Sequence, residues 1–97
     1  MNNYEMVLIA QPDLDQEGVT NLLERFTNRV ESLGGQISTL ETWGKRRFAF
    51  PIRKFHEGFY YITHFKIDPK ELGEVDRFVK LTEPILRHMI LRQQETE

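Results

Sequence analysis

The chain of 97 residues contains no cysteine. That excludes a disulfide framework, a thiolate nucleophile and any cysteine-ligated metal. Long apolar runs are also missing. The run nearest the N-terminus, Met6 to Ala10, has the length of a strand and falls far short of a membrane span. No basic stretch followed by an apolar core opens the chain, so no signal peptide is expected. Repeats, low-complexity stretches and internal linkers are absent. An excess of cations is lacking too: the net charge is −2 and the pI about 5.9. Taken as a sum, that charge weighs against a nucleic-acid partner. What remains is an ordinary soluble balance, 39% hydrophobic and 29% charged, in a length that suits one domain with one core.

The distribution of charge matters more than its sum. Two segments with helical periodicity hold nine acids (Asp15, Glu17, Glu24, Glu31, Asp68, Glu71, Glu74, Asp76 and Glu83) against five bases. Between Trp43 and Ile67 the balance reverses. Six bases (Lys45, Arg46, Arg47, Arg53, Lys54 and Lys66) face one acid, Glu57. Arg87 and Arg92 flank the end of the last apolar run. If the helices form one layer, the molecule is acidic on one side and basic on part of the other.

The order of elements follows from local signals. Tyr4 to Ala10 reads as a strand, broken by Gln11-Pro12-Asp13. Asp15 is an N-cap for a helix whose apolar residues Val19, Leu22, Leu23, Phe26, Val30 and Leu33 share one face. Gly34-Gly35 ends it. Gln36 to Ile52 is a long strand bent near Gly44, Lys54 to Gly58 supplies a turn, and Phe59 to Ile67 is a second strand of that hairpin. Asp68-Pro69-Lys70-Glu71 starts another helix, with Leu72, Val75, Phe78 and Val79 on its apolar face. Pro84 stops it, and Ile85 to Leu91 is the last strand. The sequence therefore predicts an α+β fold, β-α-β-β-α-β, with both helices on one face of a four-stranded antiparallel sheet. Right-handed crossovers place the first and third strands in the centre. Residues 1–92 form the single domain and 93–97 a mobile tail.

The other sheet face is left open, and alternation assigns its residues. Tyr60, Ile62, His64 and Lys66 lie on it, while Phe59, Tyr61, Thr63, Phe65 and Ile67 turn to the core. Together with Val7 and Ile9, the first set forms an apolar patch of the kind that meets a protein partner. Trp43-Gly44-Lys45-Arg46-Arg47-Phe48-Ala49-Phe50-Pro51-Ile52-Arg53-Lys54 places three cations at a bend and two more past an apolar alternation. Residue type alone leaves two readings of it: a charged edge that resists aggregation, or a phosphate-binding hairpin.

This segment resembles the bacterial small-subunit ribosomal protein six family, whose pattern is Gly-x-Arg-x-Leu-Ala-Tyr-Pro-Ile-x-Lys followed by a glycine and an aromatic, here Gly58-Phe59. Tyr4-Glu5, Pro12 and Arg87-His88-Met89 are similar as well, so the resemblance spans residues 2 to 92. It implies a ferredoxin-like fold and a structural role in the cytoplasmic ribosome. It also implies cooperative binding to the central domain of the small-subunit ribosomal RNA with protein eighteen of the same subunit. The resemblance and the basic run together assign RNA contacts to Lys45, Arg46, Arg47, Arg53, Lys54, Arg87 and Arg92. Tyr4, Val7, Tyr60, Ile62 and His64 are assigned to the partner. Asn2 and Asn3 stand where relatives often carry arginine, so no cation is available there.

Two other classes share this element order. An RNA-recognition motif stacks bases on third-strand aromatics. Glu57-Gly58-Phe59-Tyr60-Tyr61-Ile62-Thr63-His64 imitates its octamer, but Glu57 replaces the cation, Tyr60 the small residue and His64 the last aromatic. An acylphosphatase needs a glycine-rich loop and an arginine after the first strand. Residues 11–15 offer neither, and carry two acids that repel phosphate. His56, His64 and His88 fall at no short metal-ligand spacing. No enzyme activity, metal, cofactor, membrane or small-molecule substrate is expected.

Overall fold

A computed structural model describes residues 1–93. Strand β1 (Asn2–Ala10) is built on alternation. Tyr4, Met6, Leu8 and Ala10 point to one side and are buried in the main core, as the period of two requires. Helix α1 (Gln16–Ser32) starts where expected, with the Asp15 carboxylate accepting the Gly18 N–H at 2.7 Å. That bond satisfies one of the helix's free N-terminal donors. Leu22, Phe26 and Val30, one turn apart, carry its buried stripe. The helix ends at Gly34-Gly35, whose N–H groups donate to Glu31 and Val30 carbonyls.

Strand β2 (Gln36–Ile52) and strand β3 (Phe55–Ile67) form the long hairpin. Asp68 accepts from the Lys70 N–H at 3.0 Å and opens a single 3₁₀ turn, Pro69–Glu71, which leads into helix α2 (Leu72–Leu81). Strand β4 (Ile85–Gln93) completes the sheet. The order is β2-β3-β1-β4, every pair antiparallel, so the first and third strands are central as the crossover rule demands. Leu22, Phe26 and Val30 of α1 join Val75 and Val79 of α2 in one core with Tyr61, Phe65 and Ile67 of β3. This is the expected ferredoxin-like sandwich. Thr63, buried among these apolar groups, donates its hydroxyl to the Thr39 carbonyl at 3.0 Å and so costs little. Among the described residues, no helix is long and apolar enough to cross a membrane.

Three boundaries differ from expectation. Strand β1 begins at Asn2 rather than Tyr4, with Asn2 paired to Ile67. The turn of the long hairpin is not Lys54 to Gly58 but the two residues Arg53-Lys54, closed by the Ile52–Phe55 pair. Gly58 lies inside β3, where a Cβ would stand 2.8 Å from the Ala10 carbonyl oxygen and 2.8 Å from the Phe48 ring. A glycine that reads as a turn signal is here a point of close approach. At the other end, β4 runs to Gln93, which pairs with Asn3. The rest of the expected tail lies outside the described residues.

Candidate RNA and partner interface

The hairpin is irregular on the β2 side only. Trp43 is an extra residue between the Thr42–Tyr61 and Gly44–Tyr60 pairs, and Gly44 takes φ of 85°, a conformation open to glycine. Past the Arg47–Glu57 pair, residues 48–51 stand against His56 alone before Ile52 pairs with Phe55. This larger bulge lifts the segment from the ladder. Phe48 folds back onto Tyr60, ring centroids 6.2 Å apart, whereas Phe50 stays 81% exposed. At the tip, Arg53 and Lys54 both adopt positive φ, 49° and 72°. Such two-residue turns match the twist of the strands but usually employ asparagine and glycine.

The seven expected RNA-contacting cations are not equivalent. Lys45 lies 3.7 Å from Glu57 and covers the Phe59 ring at 5.5 Å. Arg46 stacks over Trp43 at 5.2 Å, and the indole N–H of Trp43 reaches Glu41 at 3.3 Å. Arg53 donates to the Glu83 carbonyl at 3.1 Å, tying the hairpin tip to the loop before β4. Arg47, Lys54, Arg87 and Arg92 have no hydrogen bond or ion pair among the described residues and are exposed. Of the seven, only these four have side chains with no polar or ring partner among the described residues. They do not share one face. Arg87 pairs with Ile9 and points to the open side, whereas Arg92 pairs with Tyr4 and points to the helix side. A spacing of five residues along a strand forces that split.

On the open face the pairing aligns Glu41, Ile62, Val7 and Met89 across the four strands. The neighbouring row is Thr39, His64, Glu5 and Leu91. The expected patch is present with different members. Val7 and Tyr60 are half-buried, while Ile62 is only 5% exposed. Ile62 sits on a central strand with neighbours on both sides, so it forms floor rather than surface. Met89 and Leu91, at 55% and 49%, supply the accessible apolar area. Sequence reasoning missed both. The signal was their shared phase with Arg87. Tyr4 does not belong to the patch at all. It has the phase of Met6 and Leu8, is buried on the helix side, and packs on Phe65 with centroids 5.8 Å apart.

His64 is held from both sides. Its Nδ1 lies 2.7 Å from the Thr39 hydroxyl and its Nε2 3.1 Å from the Glu5 carboxylate. A carboxylate only accepts, so Nε2 donates, and in the neutral ring Nδ1 accepts from threonine. The result is a polar chain that ties β2, β3 and β1 beside the apolar row. On the helix side, Asp76 accepts from His88 at 2.6 Å and pairs with Lys80 at 2.9 Å. The His88 hydrogen bond, then the Lys80 one, hold the Asp76 carboxyl below the usual carboxylate range. Burial in the core pushes the Tyr61 phenol up.

Comparison with known proteins agrees with this geometry. The profile of the family described as Ribosomal protein S6 matches residues 3–92. The small ribosomal subunit protein bS6 of Desulforamulus reducens is 43% identical over 95 residues, covering 98% of this chain and 100% of the relative. That of Moorella thermoacetica is 38% identical, covering 98% and 97%. The crystal structure of 30S ribosomal protein S6 from Thermotoga maritima superposes with a TM-score of 0.89 at 34% identity, over 95% of this chain and 87% of that one. Fold, length and sequence converge: the chain belongs to the ribosomal protein S6 family, structural components of the small ribosomal subunit.

Proposed function

We propose that this protein is a non-catalytic scaffold of the bacterial ribosome that binds the central domain of the small-subunit ribosomal RNA cooperatively with ribosomal protein eighteen. The observation that carries the reading is the pairing of two weak surfaces. Of the seven expected RNA-contacting cations, only Arg47, Lys54, Arg87 and Arg92 have side chains without a partner among the described residues, too few and too dispersed to hold RNA strongly against a net charge of −2. Beside Arg87 on the open face lies an apolar patch, half-buried Val7 and Tyr60 with exposed Met89 and, in the next row, Leu91. A basic partner seated on that row completes the positive surface. The coupling is a free energy of about 1–3 kcal/mol felt equally by both proteins. Tyr61 is buried, and Phe59 packs against the core beneath Lys45. That favours docking of a partner over base stacking at the positions an RNA-recognition motif uses.

The test is a salt titration of RNA binding. Replacing Arg46, Arg47 and Lys54 with alanine leaves a folded protein, since all three are exposed. Removing one phosphate-binding cation lowers the slope of log affinity against log salt by roughly 0.7–0.9. Protein eighteen strengthens binding of the wild type. An unchanged slope, or wild-type binding that is equally tight without the partner, refutes the proposal.

A further inference from the structure

We infer that the groove between the hairpin bulge and β4 holds one unstacked nucleotide of the bound RNA, its base against Phe50 and Tyr60 and its phosphate between Arg47 and Arg87. The inference rests on the RNA-binding role proposed above and adds a site and a ligand class to it. The groove has a volume of about 310 Å³, with Ile9, Phe48 and Tyr60 among its apolar lining. Its other side is the bulge itself, residues 48–51, which carries Phe50. Among the described residues, Arg47 and Arg87 are the only charged ones that line it, Arg87 from the open face and Arg47 from the start of the bulge opposite Glu57, and neither side chain has a hydrogen bond or ion pair there. The nearby acid Glu57 is engaged by Lys45. The site therefore joins aromatic surface to uncompensated positive charge, which is the chemistry of a nucleotide: a π face and an anion.

Size and shape narrow the occupant. The volume is at the small end of ligand clefts, enough for a base and far too small for a helix. The deep groove of duplex RNA is closed to side chains, so bases are read from unpaired nucleotides stacked on aromatic rings. An aromatic ring as exposed as Phe50 is a fitting platform. A second cleft, lined by Val7 and Met89, shares Ile9, Tyr60 and Arg87 with this one. The nucleotide thus abuts the partner's proposed seat, and Tyr60 and Arg87 serve both.

The experiment titrates the full chain, labelled for NMR, with three RNAs of equal phosphate number. They are a single-stranded uridine hexamer, the same backbone without bases, and a blunt duplex. The uridine strand should shift Ile9 and Tyr60 and bind roughly tenfold more tightly than the abasic strand, as one stacked base implies. Phe50→Ala should erase that difference and Phe50→Trp preserve it; the exposed ring at this position makes both substitutions neutral for folding. Equal affinity for base-bearing and abasic strands overturns the site while leaving electrostatic RNA binding intact. Absence of binding to all three overturns the RNA reading as well. Displacement of the uridine strand from Ile9 and Phe50 by protein eighteen alone assigns the groove to the protein partner and overturns the nucleotide.

Discussion

Met89 and Ile62 lie in one row of the open face, two strands apart, and the same substitution at each should have opposite consequences. Met89 is 55% exposed and Ile62 5%. Complete burial of a large apolar side chain stabilises by about 1.5–3 kcal/mol. Met89 has just over half of its surface left to bury, so the proposed docking would draw about 1–1.5 kcal/mol from it. Met89→Asp forfeits that and adds an uncompensated charge under the partner, which costs roughly 3–5 kcal/mol. The sum exceeds the coupling of about 1–3 kcal/mol available to two cooperating ligands. Cooperativity should therefore vanish while the free chain stays folded, because exposed substitutions change stability by about 0.5 kcal/mol or less. Ile62→Asp puts the same charge inside the free chain. A loss of about 3 kcal/mol at 4–8 °C each lowers Tm by at least about 12 °C. Thermal melts of both variants, and RNA titrations of the folded one with and without protein eighteen, measure these outcomes. If Met89→Asp still gains from the partner, the docking face is wrong. If Ile62→Asp melts like wild type, burial does not set the cost at this position.

Other outcomes concern the cations and Asp76. Lys54→Gly relieves a positive-φ side chain at the hairpin tip and should raise stability by about 1 kcal/mol in urea melts. It should also lower the salt slope of RNA binding by roughly 0.7–0.9. Arg87→Ala and Arg92→Ala act from opposite faces, so their losses of RNA affinity should add within about 0.5 kcal/mol in a double-mutant cycle. A larger coupling would mean that both touch one phosphate cluster. Asp76 has a lowered folded-state pKa, so its contribution is present above the ordinary carboxyl value of about 3.9 and disappears as pH falls below it. Asp76→Asn should flatten the stability profile in that acid window, read by denaturant melts from pH 6 down to pH 2. A profile identical to wild type refutes the role of the His88 and Lys80 contacts.

Period and punctuation carried most of the fold. Asp15, Asp68 and the alternation around Phe65 need only near neighbours in sequence to be interpreted, and each stands where local rules put it. Two kinds of fact required the third dimension. Gly58 resembles a turn residue until Ala10 and Phe48 are seen against it. Ile62 and Met89 are both apolar on the same face, but one is walled in by two strands and the other by a single strand. Alternation reports which face a residue takes and says nothing of how crowded that face is. The same limit applies to charge. The run Lys45-Arg46-Arg47 looks uniform in sequence. Yet among the described residues its three members meet Glu57, Trp43 and no partner, respectively. The error at Tyr4 was avoidable, since its phase with Met6 was already legible.

The pairing of β1 with both β3 and β4 has a bearing on how the molecule is made. All nine residues of β1 are paired with β3, and β4 flanks the other side. During synthesis β1 is made first, and residues 11–84 separate it from β4. At about 5–20 residues per second, the strand waits several seconds for its last neighbour. For that interval one row of its amide and carbonyl groups has no strand to satisfy it, and an open row of that kind invites pairing with other chains. Closure depends on contacts distant in sequence, which form slowly. A nascent chain halted before Ile85 should therefore lack a finished centre, however complete its helices. The clock on its assembly starts only when the last strand emerges.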